Sequence, residues 1–244
     1  MSSFGPESLR WWFPRVVRLG IPHPPTLVVP VDCATVKRFC LLDCDLGSET
    51  TNALRLGALR LGFPLILRTD ITSYKHGWEH SCFVPSARSL LEHARNVATF
   101  SILAGGEELA TSAFVLRKFV PLDSTFLAFS GRMPVSAERR YFISNGAVVC
   151  HHPYWTEDAI KCPSATDWRE RLALLNSESS REIGVLSGYA GKVAKDFSGS
   201  WSVDFARTLE GTWLLLDMAP AARSSRPNPS CVYCSRLVLG QQQD

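Results

Sequence analysis

The stretch FSGSWSVDFARTLEGTWLLLDMAP, residues 197–220, decides how the rest of the chain is read. Its pattern predicts two strands, 201–206 and 213–217, joined by a turn at Glu210-Gly211. In the first strand, Trp201, Val203 and Phe205 alternate with Ser202, Asp204 and Ala206, which sends Asp204 to the face opposite the aromatic side chains. The second, Trp213-Leu214-Leu215-Leu216, is apolar until it ends in Asp217. Such a run belongs in a core, where an ionised carboxylate is tolerated when it is paired or holds a metal. Two acids on neighbouring strands suggest a small oxygen-ligated divalent site, of the kind Mg²⁺ uses when it also grips phosphates; solvated strand ends are the alternative.

Upstream, residues 166–178 and 180–197 read as two helices, with Trp168, Leu172 and Leu175 on a face of the first and Ile183, Leu186, Ala190 and Val193 on a face of the second. ERRYFI, 138–143, and AVVC, 147–150, read as a hairpin around Ser144-Asn145-Gly146. The strand FVLRKFVP, 114–121, carries Arg117 and Lys118 in its middle. Cations on half-buried strands need an anionic partner, internal or bound. A helix starting near Pro85-Ser86 places Leu90, Leu91, Ala94, Val97, Ala98 and Ile102 on one face and stops at Gly105-Gly106. The strand LILRT, 65–69, opens into DITSYKHGW, 70–78, whose hydroxyls, backbone N–H groups and Lys75 are the groups that hold phosphate. The GxxxxGK[ST] loop is absent, and an ordinary surface loop is the alternative. Earlier still, 26–31 and 40–42 read as strands, and 50–62 as a helix stopped by Gly62-Phe63-Pro64. The prolines among residues 1–25 predict an extended lead-in around Trp11-Trp12-Phe13. Beyond Pro220 the chain reads as loop, with 237–239 adding a last short strand.

At 244 residues and 45% apolar content the chain can bury one large core or two small ones. A net charge of +3 neither demands nor excludes a nucleic-acid or membrane partner. Apolar runs break well before the ~20 residues of a membrane span, and the start of the sequence lacks a signal-peptide pattern. The expectation is a soluble, cytoplasmic protein with no membrane partner. Eight scattered cysteines read as reduced thiols, and Cys231-Val-Tyr-Cys234 lacks the second pair a zinc site needs.

In this order, a strand with a Ser/Lys loop, a helix, FVLRKFVP, ERRYFISNG, two helices, SVDFA and GTWLLLDMAP together resemble an ATP-grasp domain. More narrowly they look like the clade named for one arginine and two lysines, and they are distantly similar to the eukaryotic initiation factor 2 assembly chaperone. The resemblance covers residues 61–226, leaving 1–60 as a reduced pre-ATP-grasp segment and 227–244 as a tail. It implies an α+β fold in which two lobes with antiparallel sheets hold ATP between them.

Carried over residue by residue, the resemblance implies that Arg68 faces the nucleotide and that Lys75 reaches its α/β-phosphates from a loop, 71–78, acting as a lid. Lys118 would sit by the adenine and α-phosphate, and Phe119 and Val120 would offer backbone groups and apolar surface to the base. Arg140, from the Glu-x-Arg-x-Phe pattern, would contact the γ-phosphate or an acyl-phosphate, so that Arg140 and Lys75 carry the catalytic roles. Asp204 and Asp217 match the metal-binding acids. Where many relatives follow the last acid with a residue and then Asn, this chain has Asp217-Met218-Ala219, and Ser224 or Ser225 is the substitute.

The implied activity is an ATP- and Mg²⁺-dependent carboxylate–amine ligase working through an acyl-phosphate. The alternatives are an ATP-binding assembly chaperone with little catalysis and a phosphotransferase. The implied partners are the nucleotide and a carboxylate and an amine, free or on a peptide or protein; nucleic acid is not expected. His151-His152-Pro153-Tyr154-Trp155 reads either as a wall of the substrate site with a histidine as base or as hairpin-end packing. Strand alternation turns Arg139 away from Arg140, towards solvent or substrate.

Overall fold

Short apolar faces meeting antiparallel sheets build the architecture, seen here in a computed structural model that describes residues 5–42, 44–105 and 111–224. It is mixed α+β, with two four-stranded antiparallel sheets and a two-stranded ribbon. The chain divides into two compact units, one built mainly from residues 24–120 and the other mainly from 134 onward.

The first departure from the sequence reading comes at once, because helix α1, Leu9–Arg18, contains Pro14. That proline removes the N–H that would bond the carbonyl of Arg10 and costs about 3 kcal/mol in a helix interior. Leu9, Trp12, Phe13 and Val16 are all buried. At roughly 1.5–3 kcal/mol for each large apolar side chain, their burial outweighs the proline.

In the first unit, β1 (Thr26–Pro30) is followed by α2 (Cys33–Leu41), α3 (Ser48–Leu61), β2 (Leu65–Thr69), β3 (Phe83–Val84), α4 (Leu90–Gly105) and β4 (Ala113–Lys118). The strand expected at 40–42 is the end of α2: Asp32 caps that helix by accepting from the Thr35 N–H at 2.9 Å, and Val36 and Phe39 are buried a turn apart. Three apolar residues are too few to show a period, so the sequence could not separate the two states. The sheet runs β1-β4-β2-β3, so a strand from the first thirty residues forms its edge. Leu65 and Leu67 of β2 and Leu116 of β4 lie with Leu54, Ala58, Leu90, Ala94 and Val97 in one core. The gap is tight: a Cβ at Gly57 would come 2.7 Å from Leu116.

β5 (Ser124–Ala128) and β6 (Met133–Ser136) form the ribbon, in a stretch to which the sequence pattern assigns no strand. The second unit then adds β7 (Glu138–Ser144), β8 (Ala147–Pro153), α5 (Trp168–Asn176), α6 (Ser180–Asp196), β9 (Ser200–Arg207) and β10 (Trp213–Pro220). The expected hairpin turns at Asn145 and Gly146 with φ of 50° and 83°. That left-handed pair matches the twist of the flanking strands. The sheet order is β10-β9-β7-β8, all antiparallel. One face carries Tyr141, Val203 and Phe205, and α6 packs against β7 and β8 with Leu186, Ala190 and Val193 buried.

Arg139 does face away from Arg140, but the expected solvent or substrate contact is replaced by a structural one. It is fully buried, donates to the carbonyls of Leu175 and Ser177 at 3.1 and 2.6 Å, and pairs with Glu178 at 3.0 Å. It thereby closes the last turn of α5, whose carbonyls have no helical partner. No helix among the described residues is long and apolar enough to cross a membrane. The described cysteines are thiols outside any disulfide, and burial pushes Cys82 up to about 12. The suggested strand at 237–239 and the Cys231/Cys234 pair lie outside the described residues.

The start of α6 supplies a pH test. Ser179 and Glu182 form a reciprocal capping box, and Glu182 also accepts from Arg207 at 2.7 Å. Burial works to raise the Glu182 carboxyl, but the Ser179 hydrogen bonds and the Arg207 charge outweigh it and hold it below the usual range. A depressed carboxylate contributes stability above its unfolded pKa and loses it as pH falls through the folded value. Between about pH 5 and pH 3 the wild type should therefore lose urea stability more steeply than Glu182→Gln, and parallel profiles would contradict the assignment.

Candidate functional site

The register of the second sheet lines up one residue from each strand. Arg140 on β7 pairs with His152 on β8 and with Asp204 on β9, and Asp204 pairs with Asp217 on β10. Directly opposed residues in antiparallel strands share a face, so His152, Arg140, Asp204 and Asp217 form a transverse row across the sheet. It lies on the side opposite Tyr141 and Phe205, as the alternation predicted for Asp204.

Asp217 reaches the row through a β-bulge. Leu215 opposes Phe205 but Asp217 opposes Asp204, so Leu216 is the extra residue of the bulge. Continued regularly, the ladder would have set Leu216 beside Asp204 and turned Asp217 to the other face. Asp217 is half-buried, and its Oδ1 accepts from the Met218 N–H at 3.0 Å.

Arg140 and Asp204 form a two-pronged ion pair, with Nε donating to Oδ1 and Nη2 to Oδ2, both at 2.7 Å. Both residues are buried. Burial alone would lower the guanidinium pKa; the charge and hydrogen bonds of Asp204, with the charges of Tyr154 and Asp217 adding, reverse that and raise it. The Tyr154 ring lies 4.5 Å from the Arg140 Cζ, a cation–π distance. Beside the row, Ser202 opposes Ala219, and its hydroxyl is hydrogen-bonded to that of Ser224. This hydroxyl pair stands next to the position where the sequence lacks Asn; Ser225 lies outside the described residues.

The two histidines part company. His151 stacks on Tyr141 at 4.9 Å on the opposite face and lies 3.3 Å from Glu178, as in the packing alternative. His152 is the one that joins the row. Of the neighbouring acids, Glu138 is buried as a structural acceptor, taking bonds from Ser136 and the Trp155 indole at 2.9 and 3.0 Å.

The remaining expected residues belong to the first unit. Arg68 on β2 opposes Val115, and Arg117 opposes Ile66, so these two arginines share the face away from the helices. Lys118 opposes Leu65, which places it on the other face, exposed at the end of β4. Arg117, not assigned a role from sequence, is thus the cation that accompanies Arg68. Phe119 meets Phe83 edge-on at 5.3 Å, and Phe83 stacks on Trp78 at 5.3 Å, giving a half-buried aromatic cluster after the strand; Val120 is likewise half-buried.

Lys75 opens a 3₁₀ turn, Lys75–His80. The loop before it is not a free set of phosphate donors. The Thr69 hydroxyl accepts from the Thr72 N–H at 2.9 Å, the Ser81 hydroxyl donates to the Tyr74 carbonyl at 2.8 Å, and Asp70 accepts from Ser8 and Ser112 hydroxyls at 2.6 and 2.7 Å. The 3₁₀ turn is further held by residues 129–132: Gly131 donates to His76 O and accepts from Glu79 N, both at 3.1 Å. A Cβ at Gly131 would fall 2.3 Å from the Gly77 carbonyl carbon, so a lid at 71–78 would have to carry that second segment with it.

The chemistry of the donor set suits Mg²⁺. Asp204 and Asp217 are hard oxygen donors side by side, and Mg²⁺ is commonly held by one or two carboxylates with phosphates and water completing the octahedron. Among the described residues no group of three or more His, Cys, Asp and Glu gathers as a metal site.

Removing the charge of Asp204 should expose how closely the pair is coupled. Asp204→Asn takes the two-pronged charged partner from a buried guanidinium and should cost about 3 kcal/mol in urea unfolding. Arg140→Met with Asp204→Leu should cost less than the sum of the single changes. A loss below about 1 kcal/mol for Asp204→Asn would mean the pair is effectively solvated.

Known proteins share this arrangement of sheets. The structure of Cdc123 from Schizosaccharomyces pombe is similar with TM-score 0.62 and 13% identity over 95% of this chain and 89% of that one. N5-carboxyaminoimidazole synthetase from Staphylococcus aureus is similar with TM-score 0.51 and 11% identity over 93% of this chain but 46% of that one. D-alanine–D-alanine ligase from Bacillus anthracis, complexed with ATP, gives TM-score 0.50 and 12% identity over 96% of this chain and 61% of that one. No curated protein matches at a significant level by sequence. Family 3 of the ATP-grasp clade named for one arginine and two lysines matches residues 55–238, well over half of the sequence, and the chain belongs to that ATP-grasp family.

Proposed function

We propose that this protein is an ATP- and Mg²⁺-dependent ligase that activates a carboxylate as its acyl-phosphate and joins it to an amine. The observation that carries the reading is the row Arg140–Asp204–Asp217, a guanidinium and two carboxylates set side by side by strand register in an ATP-grasp chain. Phosphoryl transfer needs alignment and charge neutralisation more than covalent help from the protein.

Asp204 and Asp217 are the residues that would hold Mg²⁺. A carboxylate has about four lone-pair sites, and Arg140 occupies one on each oxygen of Asp204, so Asp204 can keep the arginine and still offer a ligand. When bound, the ion would neutralise charge on the transferring phosphates. Arg140, held in one rotamer by Asp204 and Tyr154, then presents an oriented cation to the γ-phosphate or the acyl-phosphate. Lys75 is proposed as a second phosphate donor, Arg68 and Lys118 as further nucleotide contacts, and Phe119 and Val120 as the neighbours of the base.

A second reading, an ATP-binding assembly factor with little catalysis, is favoured by the local chemistry: Ala219 has no side-chain donor or ligand where the family resemblance implies Asn, and the nearby hydroxyls of Ser202 and Ser224 bond to each other. Incubation with ATP, Mg²⁺ and mixed pools of carboxylates and amines separates the readings. The ligase predicts ADP that depends on both pools, a phosphotransferase predicts ADP and a stable phosphorylated product without the amine, and tight ATP binding with no ADP from any pool supports the assembly factor. Asp217→Asn should weaken nucleotide binding about tenfold or more at fixed Mg²⁺, with unchanged affinity contradicting its role as a ligand. Lys75→Ala should weaken ATP more than AMP; equal losses would remove Lys75 from the phosphates.

A further inference from the structure

We propose that His152 Nε2 is the hydrogen-bond acceptor for an uncharged N–H or O–H group of the substrate that binds beside Arg140, an assignment that rests on the ligase reading above. His152 lies directly across from Arg140 in the register and therefore on the face of the row. It is 7% exposed. Its Nδ1 sits 2.8 Å from the Pro153 carbonyl, and a carbonyl can only accept, so Nδ1 carries the proton. Burial makes a second proton unfavourable and outweighs the Pro153 carbonyl, which favours it; of the smaller contributions, the Arg140 charge sides with burial and Asp204 opposes it. Nε2 is left as a lone pair.

That lone pair is buried and has no hydrogen-bond partner among the described residues. A buried acceptor in this state costs about 1–3 kcal/mol, which a ligand donor would recover on binding. The neighbouring guanidinium decides which donor: a second cation at Nε2 would be repelled by Arg140, and Mg²⁺ prefers oxygen to imidazole. An uncharged amine, amide or hydroxyl meets no such repulsion. In a ligase the arrangement selects the attacking amine in its uncharged form, the form whose nitrogen lone pair is free to react. His151 cannot substitute, since it lies on the opposite face against Tyr141 and Glu178.

The test is a titration of the full chain labelled with ¹⁵N-histidine, read in long-range ¹H–¹⁵N spectra at about pH 7.5, where an ordinary histidine is mostly neutral. Hydroxylamine, largely uncharged at that pH, is the probe, added with and without Mg²⁺ and a non-hydrolysable ATP analogue. Through-bond correlation assigns His152 without needing a variant. The free protein should show His152 Nε2 as an unprotonated nitrogen, hydroxylamine should shift it saturably while leaving His151 in place, and methylammonium at the same concentration should not. A protonated Nε2 in the free protein, or no response to hydroxylamine, overturns the assignment. Failure of the ATP analogue to bind would instead count against the ligase reading, and the titration without nucleotide would still decide the role of Nε2.

Discussion

Two charges taken out of water must find each other, and the Arg140–Asp204 pair is where this chain meets that requirement. Burying either ion alone costs several kcal/mol, so each can sit in the sheet only with the other at hydrogen-bonding distance. The antiparallel register of β7 against β9 provides that distance. A slip of one residue would set Arg140 against Val203 or Phe205 and turn a row of polar side chains into the core. The pair thus favours one register of β7 against β9, while the irregularities at Val149 in β8 and at Leu216 in β10 bring His152 and Asp217 to the same row.

The second sheet was largely legible in the sequence. Alternation in 201–206 gave the face of Asp204, and Asn145-Gly146 gave the hairpin, but it is a register shift at Val149 that sets His152 rather than His151 against Arg140. The mechanism that turns Asp217 to the same face was not legible, because a bulge at Leu216 inside an apolar run changes no residue type and leaves no mark on the pattern. The ribbon of β5 and β6 was missed for a similar reason: its connecting segment places Phe129 and Arg132 at φ of 65° and 56°, where a turn is usually announced by Gly or Asn. Helix α1 was hidden by Pro14, since the rule that proline breaks helices is local and the burial that overrides it is not.

In the first unit, residue type pointed to phosphate chemistry while the hydrogen bonds tell a narrower story. Hydroxyls at Thr69 and Ser81 and the carboxylate of Asp70 hold the loop's own backbone and its neighbours, and Gly131 locks the 3₁₀ turn that begins at Lys75. Strand parity separates Lys118 from Arg68 and pairs Arg68 with Arg117 instead. A linear reading treats Arg117-Lys118 as one basic patch, whereas adjacent strand residues point to opposite sides of a sheet. Family membership therefore rests on the long stretch 55–238, and the proposed chemistry rests on a handful of side chains that the sheets sort by face.

The most direct measurement of that chemistry is a crystal structure with a non-hydrolysable ATP analogue and Mn²⁺ in place of Mg²⁺, with the ion located by its anomalous scattering. Shared ligation by the two acids predicts an anomalous peak within coordination distance of both Asp204 and Asp217 and bridging to the analogue's phosphates, with Arg140 still paired to Asp204. A nucleotide whose ion touches neither carboxylate would contradict it.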